Sequence, residues 1–221
     1  MILTEPAGIG RATKEAPPVN RILASLALAL ALASPALAAP AAAGPDLARA
    51  ESGSYAIDKS HAKIIFSLSH FGFSTYYGLF TGFDAKLALD AKTPAKSNLE
   101  VTVDIASVAT TNPKLDEHLK SPDFLDAAKF PTAVFKAGTI TVTGPAAGTV
   151  AGTLTLHGVT KPVVLKTTFN GGGINPVSKK YVLGFDASTT IKRSEFGIVT
   201  YVPMVGDEVT LTISGEFNRA P

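Results

Sequence analysis

Residues 61–83, HAKIIFSLSHFGFSTYYGLFTGF, set the pattern that the rest of the chain repeats. Ala62, Ile64, Phe66 and Leu68 alternate with Lys63, Ser67 and Ser69, the period of two expected of a strand with one buried face, and only Ile65 breaks it. His70-Phe71-Gly72-Phe73-Ser74 reads as a glycine-punctuated turn, and residues 77–83 as a second strand holding Gly78 and Gly82. Glycine inside a strand marks a bulge, a bend or a close backbone approach, all of which a sheet needs in order to curl.

Working outward, the same alternation recurs. Leu99, Val101, Val103 and Ile105 alternate with Glu100, Thr102 and Asp104. Thr132 to Thr141 supplies a further strand, and Val150, Gly152, Leu154 and Leu156 pair through a turn at Gly158 with Val163, Leu165 and Phe169 as a hairpin. Tyr181, Leu183, Phe185, Ala187, Thr189 and Ile191 follow a loop read at Gly171-Gly172-Gly173, and Val209, Leu211, Ile213 and Phe217 close the series. One helical excursion is predicted within 111–125, with Asn112 as cap, Pro113 in the first turn, and Leu115 and Leu119 on one face. About eight strands with hairpin-length connections predict an all-β fold, an eight-stranded antiparallel β-barrel with one short helical excursion, because closure removes exposed edges.

Composition agrees with one folded unit. The 221 residues are 46% hydrophobic and 17% charged, with 19 Gly and 15 Pro, as turn-rich globular chains are. A formal net charge of only +2 argues against a phosphate-binding surface, so no nucleic-acid partner is expected. The chain has no cysteine, which excludes disulfides, thiol nucleophiles and thiolate metal sites. Arg21, the apolar run Ile22 to Leu32 and Ala36-Leu37-Ala38 form the three regions of a cleavable export signal over residues 1–38. An apolar run of about a dozen residues is shorter than the ~20 that span a bilayer, so no membrane span is expected after cleavage. Residues 1–18 read as an over-extended start, with a bacterial start at Val19 giving a signal of ordinary length. Residues 39–52 are Ala- and Pro-rich and read as a flexible tether, which places the barrel at 53–219.

A barrel of this size is either filled by its own side chains or holds one elongated ligand. Periodicity reports burial and is silent on emptiness, so both readings stay open. The inward aromatic candidates are Phe66, Phe71, Phe73, Phe80, Phe83, Phe124, Phe130, Phe135, Phe169, Phe185 and Phe196, and Ile64, Leu68, Val101, Val103 and Leu154 share their faces. His70 has the parity of Phe66 and Leu68, which directs it to the barrel mouth as a hydrogen-bond partner for a ligand head group or for backbone. The stretch 194–207 is too apolar for a solvated connection, so part of it, with Tyr201 and Met204, is expected to fold over the mouth.

Several motifs resemble one family in order. Ile57-Asp58-x-x-His61, Phe66-x-x-x-His70-Phe71-Gly72 and Gly78-x-Phe80-x-Gly82-Phe83 resemble the opening of the YceI-like family of periplasmic lipid-binding proteins. Similar to its later signatures are Ser107-Val108-x-Thr110, the run Asp116-x-His118-Leu119-x-Ser121-x-Asp123-Phe124-Leu125-Asp126, and Phe130-Pro131. Gly152-x-Leu154-Thr155-Leu156-His157-Gly158-Val159-Thr160-Lys161-Pro162, Arg193-Ser194-Glu195-Phe196-Gly197 and Val205-Gly206-Asp207-Glu208-Val209 extend the match across 53–217. The resemblance implies a lipocalin-like extended antiparallel barrel whose apolar interior binds a polyisoprenoid or an isoprenoid quinone, with no cofactor and no catalytic activity.

Other chemistry finds little support in the residues. His61, His70, His118 and His157 have no metal-ligand spacing, and no serine sits in a G-x-S-x-G elbow. Asp116 and His118 are expected to pin the helix to the barrel, His157 to be exposed at a hairpin turn, and Arg193 to pair with Glu195 and Asp186. Three functions compete: a periplasmic lipid carrier or sequestering protein, an enzyme acting through His70 on an isoprenoid-like substrate, and a purely structural barrel. The identity of the lipid, any receiving protein partner and a homodimer are left open by the residues.

Overall fold

A computed structural model describes residues 45–220. The expected export signal, and the start of the tether, lie outside the described residues. Among the described residues ten strands and one α-helix follow in order: β1 Gly53–His70, β2 Ser74–Phe80, β3 Phe83–Leu89, β4 Asn98–Asp104, β5 Val108–Ala109, α1 Pro113–Lys120, β6 Thr132–Val142, β7 Ala147–Leu156, β8 Val159–Ile174, β9 Tyr181–Lys192 and β10 Glu208–Arg219. Eight of them, β1, β3, β4, β6, β7, β8, β9 and β10, pair in an antiparallel ring that β10 closes against β1. The barrel expected from alternation is therefore the fold. No helix among the described residues is long and apolar enough to cross a membrane.

The first strand is long enough to serve three neighbours. Gly53 to Ala56 pair with β3, Ile64 to His70 pair with β2, and β10 runs along the other edge. Between Ile57 and Ala62 the register against β10 shifts, and the motif Asp58-x-x-His61 sits on that bulge. The Asp58 carboxylate there accepts from the Ser60 hydroxyl at 2.5 Å and the Ser60 amide at 3.0 Å, with His61 Nδ1 and Asn218 Nδ2 each at 3.2 Å. The Ser60 hydroxyl is the main reason the Asp58 pKa lies well below the usual carboxylate range; desolvation opposes it, and His61 and Asn218 add to it.

Two local readings need correction. Gly171-Gly172-Gly173 is not a loop but the end of β8, paired with Leu183 and Val182 after a bulge at Phe169. A Cβ on Gly172 would lie 2.8 Å from Leu183 Cδ2, whereas Gly171 stands at the bulge with φ of 146° and Gly173 faces open space. His157 is half-buried, not exposed: its Nδ1 lies 3.1 Å from the Phe196 carbonyl and its ring meets Phe130 edge-on at 4.6 Å. It shares with Gly158 a two-residue turn with φ of 51° and 75°, the pair of positive values that a tight hairpin demands.

The packed core lies at the end of the barrel where the described chain begins. Tyr55, Leu87, Leu89, Phe169, Leu183 and Phe217 are buried together, with Phe185 stacked between Phe169 at 5.2 Å and Phe217 at 6.1 Å. Residues 46–52, expected as part of the tether, dock on this end. The Leu47 amide donates to the Pro145 carbonyl at 2.9 Å, Leu47 and Ala50 pack on the core, and Glu51 forms an ion pair with Arg219.

The Asp58 bulge gives the fold a pH signature. Because its folded pKa is depressed, its stabilisation is complete above the unfolded carboxyl value near about 4 and is lost as pH falls through the folded value. Asp58→Asn should cost about 1 kcal/mol at pH 7, and its melting-temperature deficit against the native chain should shrink on acidification below about pH 4. A deficit that is independent of pH would show that the carboxylate's charge contributes nothing at the bulge.

Candidate functional site

At the other end the strands do not complete the wall. The β1–β2 hairpin, α1 and the chain between β9 and β10 enclose an apolar cavity of about 400 Å³. Strand β1 presents Ile64, Phe66, Leu68 and His70 to it, all on one face by the period of two. Leu154 and Leu156 of β7, Ile191 of β9, and Val209 and Leu211 of β10 complete the strand-built wall. Leu115, His118 and Leu119 of α1 form a lid on one side, followed by Phe124 and Leu125.

The helix is held where its sequence predicts. Asn112 caps it by accepting from the Lys114 and Leu115 amides at 3.2 and 3.3 Å. Asp116 accepts from the Thr110 amide at 2.7 Å and the Thr110 hydroxyl at 2.6 Å, which ties the first turn to the end of β5. His118, expected to pin the helix, instead turns its ring to the cavity and meets Phe124 edge-on at 5.0 Å, with Nε2 3.7 Å from Asp123.

The opposite side of the mouth is organised by Arg193. Its side chain forms no ion pair with Glu195 or Asp186; it is 5% exposed and spends its donors on backbone. Nε donates to the Gly206 carbonyl at 2.9 Å, Nη1 to Ile198 at 2.9 Å, and Nη2 to Thr200 at 2.9 Å and Val205 at 2.8 Å. The rigid guanidinium fork thus gathers an otherwise irregular chain into one shape, and Ile198, Tyr201 and Val205 line the cavity as a result. Burial pushes the Arg193 guanidinium down from its ordinary value, with the Asp207 carboxylate opposing. For Asp207 burial acts upward but is outweighed by the Ser194 amide and hydroxyl, each at 2.8 Å, and by the nearby cations, so its carboxyl stays below the usual range.

The same chain is stitched to its surroundings. The Phe71 amide donates to the Met204 carbonyl at 2.7 Å, the Gly206 amide to Ser69 at 2.7 Å, and the Thr200 hydroxyl to the Asp123 carbonyl at 2.5 Å. Phe124 and Tyr201 meet across the mouth at 6.2 Å.

Of the residues expected to face a ligand, Ile64, Phe66, Leu68, His70 and Phe71 line the cavity, as do Phe80, Val103, Phe124, Leu154 and Tyr201. Phe83, Val101, Phe135 and Phe196 are packed into the core instead, and Phe169 and Phe185 belong to the opposite end of the barrel. Phe73 is 92% exposed at the hairpin tip, and Met204 lies on the outer surface at 54%. Tyr76, Ile105, His118, Ala133, Arg193 and Ile198 line the cavity without having been expected. Ile191, Val209 and Leu211 could have been found, since their strands carry the same alternation as β1. Among the described residues no group of three His, Asp or Glu side chains is placed to hold a metal ion.

The model of the YceI-like domain matches residues 55–217, from the start of the ring to its last strand. This chain belongs to the YceI-like family. Curated relatives include a UPF0312 protein of Ectopseudomonas mendocina, 40% identical over 170 residues covering 76% of this chain and 88% of that one. A second UPF0312 protein, from Pseudomonas fluorescens, is 42% identical over 176 residues with the same coverage of each. Among solved structures, the YCEI protein of Campylobacter jejuni aligns with a TM-score of 0.62 at 32% identity, covering 69% of this chain and 90% of that one. Burkholderia cenocepacia BcnA shares the fold, with a TM-score of 0.66 at 24% identity over 72% of this chain and 98% of that one. So does a polyisoprenoid binding domain from Saccharophagus degradans, with a TM-score of 0.57 at 12% identity over 77% of this chain and all of that one.

The Arg193 cluster is the testable hinge of this YceI-like mouth. Arg193→Met keeps an unbranched apolar stem but removes the guanidinium and its four hydrogen bonds to carbonyls, and should destabilise the fold by on the order of 3 kcal/mol. Amide exchange across residues 198–206 should accelerate more than in the ring strands. Unchanged exchange there would mean that the loop holds its shape without the guanidinium.

Proposed function

We propose that this protein encloses the chain of a polyisoprenoid lipid or isoprenoid quinone in the cavity, as a carrier or sequestering protein of the periplasm. The observation that carries the reading is the cavity itself: about 400 Å³ walled almost wholly by aliphatic and aromatic side chains, within the ~300–1,000 Å³ typical of ligand sites. Burying on the order of 400 Å² of apolar chain there contributes about 10 kcal/mol before the cost of immobilising it. The polar groups, His70, Tyr76, His118 and Tyr201, leave room for a few hydrogen bonds to a head group at most. Family membership supports the same reading, as does the likeness in fold to the Saccharophagus degradans domain described as polyisoprenoid binding. The export signal expected over residues 1–38 supports a site of action outside the cytoplasm.

An enzyme acting through His70 is the weaker reading. Its ring meets Phe71 at 4.7 Å and Tyr76 at 6.0 Å, and among the described residues no carboxylate hydrogen-bonds it, so nothing orients it as a general base.

Protein purified from a periplasmic extract should release a long-chain isoprenoid lipid into organic solvent, identified by mass spectrometry. Leu154→Trp, which fills the cavity, should lower the amount retained at least about tenfold, whereas Lys63→Ala on the outer face should leave it unchanged. His70→Gln should shift retention by no more than about tenfold and leave the lipid chemically unaltered. Equal retention in Leu154→Trp and Lys63→Ala would remove the cavity as the site, and a converted lipid lost in His70→Gln would favour catalysis.

A further inference from the structure

The barrel holds a second, smaller cavity of about 90 Å³ at its packed end, walled by Leu87, Leu89, Leu99, Val150, Phe169 and Phe217 among others and capped by Leu47. Following the inward face of each strand from mouth to packed end shows how the two are related. On β4, Val103 lines the large cavity and Leu99 the small one, with Val101 between them. On β7 the order is Leu156 and Leu154, then Gly152, then Val150 and Gly148. On β9 it is Ile191, then Thr189 and Ala187, then Phe185; on β10 it is Leu211, then Ile213 and Gly215, then Phe217. On β6 Ala133 lines the large cavity and Ile140 the small one, and Phe135 stands between. On these five strands the same intermediate level belongs to neither cavity.

That level acts as a partition, and Phe135 is its bulkiest member on these five strands. Phe135 is 7% exposed and belongs to a buried cluster with Val150, Leu165 and Ile191, against which Val101 and Ala187 pack. Its ring lies over Gly152 of the neighbouring strand, where an added Cβ would come within 2.7 Å of Cζ. Gly152 has no side chain at this level, and the phenyl ring occupies the space above it. A smaller aliphatic residue in place of Phe135 would open space from the large cavity toward the small one.

We propose that the Phe135 partition sets the length of chain this protein accepts, acting as the floor of the ligand site. The proposal rests on the lipid-binding reading above. An isoprenoid chain entering at the mouth gains affinity with each unit buried until its end meets Phe135; further units stay outside the floor and add little. Phe135 is thus a specificity-determining residue that reads chain length rather than head-group chemistry.

The test uses prenols of three, four, six and nine isoprene units, each offered to delipidated protein and to Phe135→Ala, with bound prenol quantified after gel filtration. Native protein should show affinity that rises with length and then levels off. In Phe135→Ala the plateau should move to a longer prenol, with that prenol bound roughly tenfold more tightly than by the native chain and the shortest changed less than about threefold. Should Phe135→Ala not fold, Val101→Ala and Phe135→Leu thin the same partition from two strands and should move the plateau in the same direction. A folded variant of any of these with the native length profile overturns the floor while leaving the lipid reading intact. If native protein binds none of the four prenols, both fall together.

Discussion

Closure of β10 on β1 is the constraint from which the rest of the molecule follows. A sheet left open here would expose two long edges of unpaired backbone N–H and C=O groups and an inner face with nothing to cover it; joined, the strands satisfy their backbone groups around the ring and turn one face of every strand inward. The joint has to accommodate an 18-residue strand that serves β3 at one end and β2 at the other. The bulge at Asp58 to His61 makes that possible by changing the register against β10 halfway along, and the Asp58 carboxylate satisfies the donors that the bulge frees.

Once closed, the interior is treated differently at its two ends. Aromatic rings and the docked Leu47 pack one end, so that it contributes stability and keeps only a cavity of about 90 Å³. At the other end the wall is finished by a short helix and an irregular chain, elements whose shape does not come from the sheet ladder. Their shape is fixed by polar contacts instead: Thr110 with Asp116, Asn112 at the helix cap, and the Arg193 fork on four carbonyls. The guanidinium is costly to bury, and its place here is intelligible because it holds apolar side chains around a space rather than filling that space.

Much of this was legible in the residues because a strand's period of two is a strong signal. The alternations in β1, β4, β7 and β10 placed Ile64, Phe66, Val103 and Leu154 on the inner face, and the Asn112-Pro113 start located α1. Parity, however, distinguishes inside from outside and cannot distinguish packed from hollow. Phe135, Phe169, Phe185 and Phe196 are therefore inward as read, yet are core or belong to the far end rather than to the cavity. Arg193 was misread for a related reason: charge pairing can be guessed from neighbours in sequence, whereas carbonyls brought together by a folded loop leave no trace in side-chain types. The three glycines at 171–173 mimic a turn in composition, and their pairing with residues 182–184 of β9 makes them strand.

The central claim is that the space between β1, β7, β10 and α1 is a lipid site rather than a packing defect. A crystal structure of the protein purified from the periplasm without added lipid tests it most directly. The account predicts continuous elongated electron density entering between His70 and Tyr201, passing Phe66, Leu154 and Leu211, and ending at Phe135. A cavity that is empty, or closed by repacked side chains, in protein taken straight from the cell would contradict it.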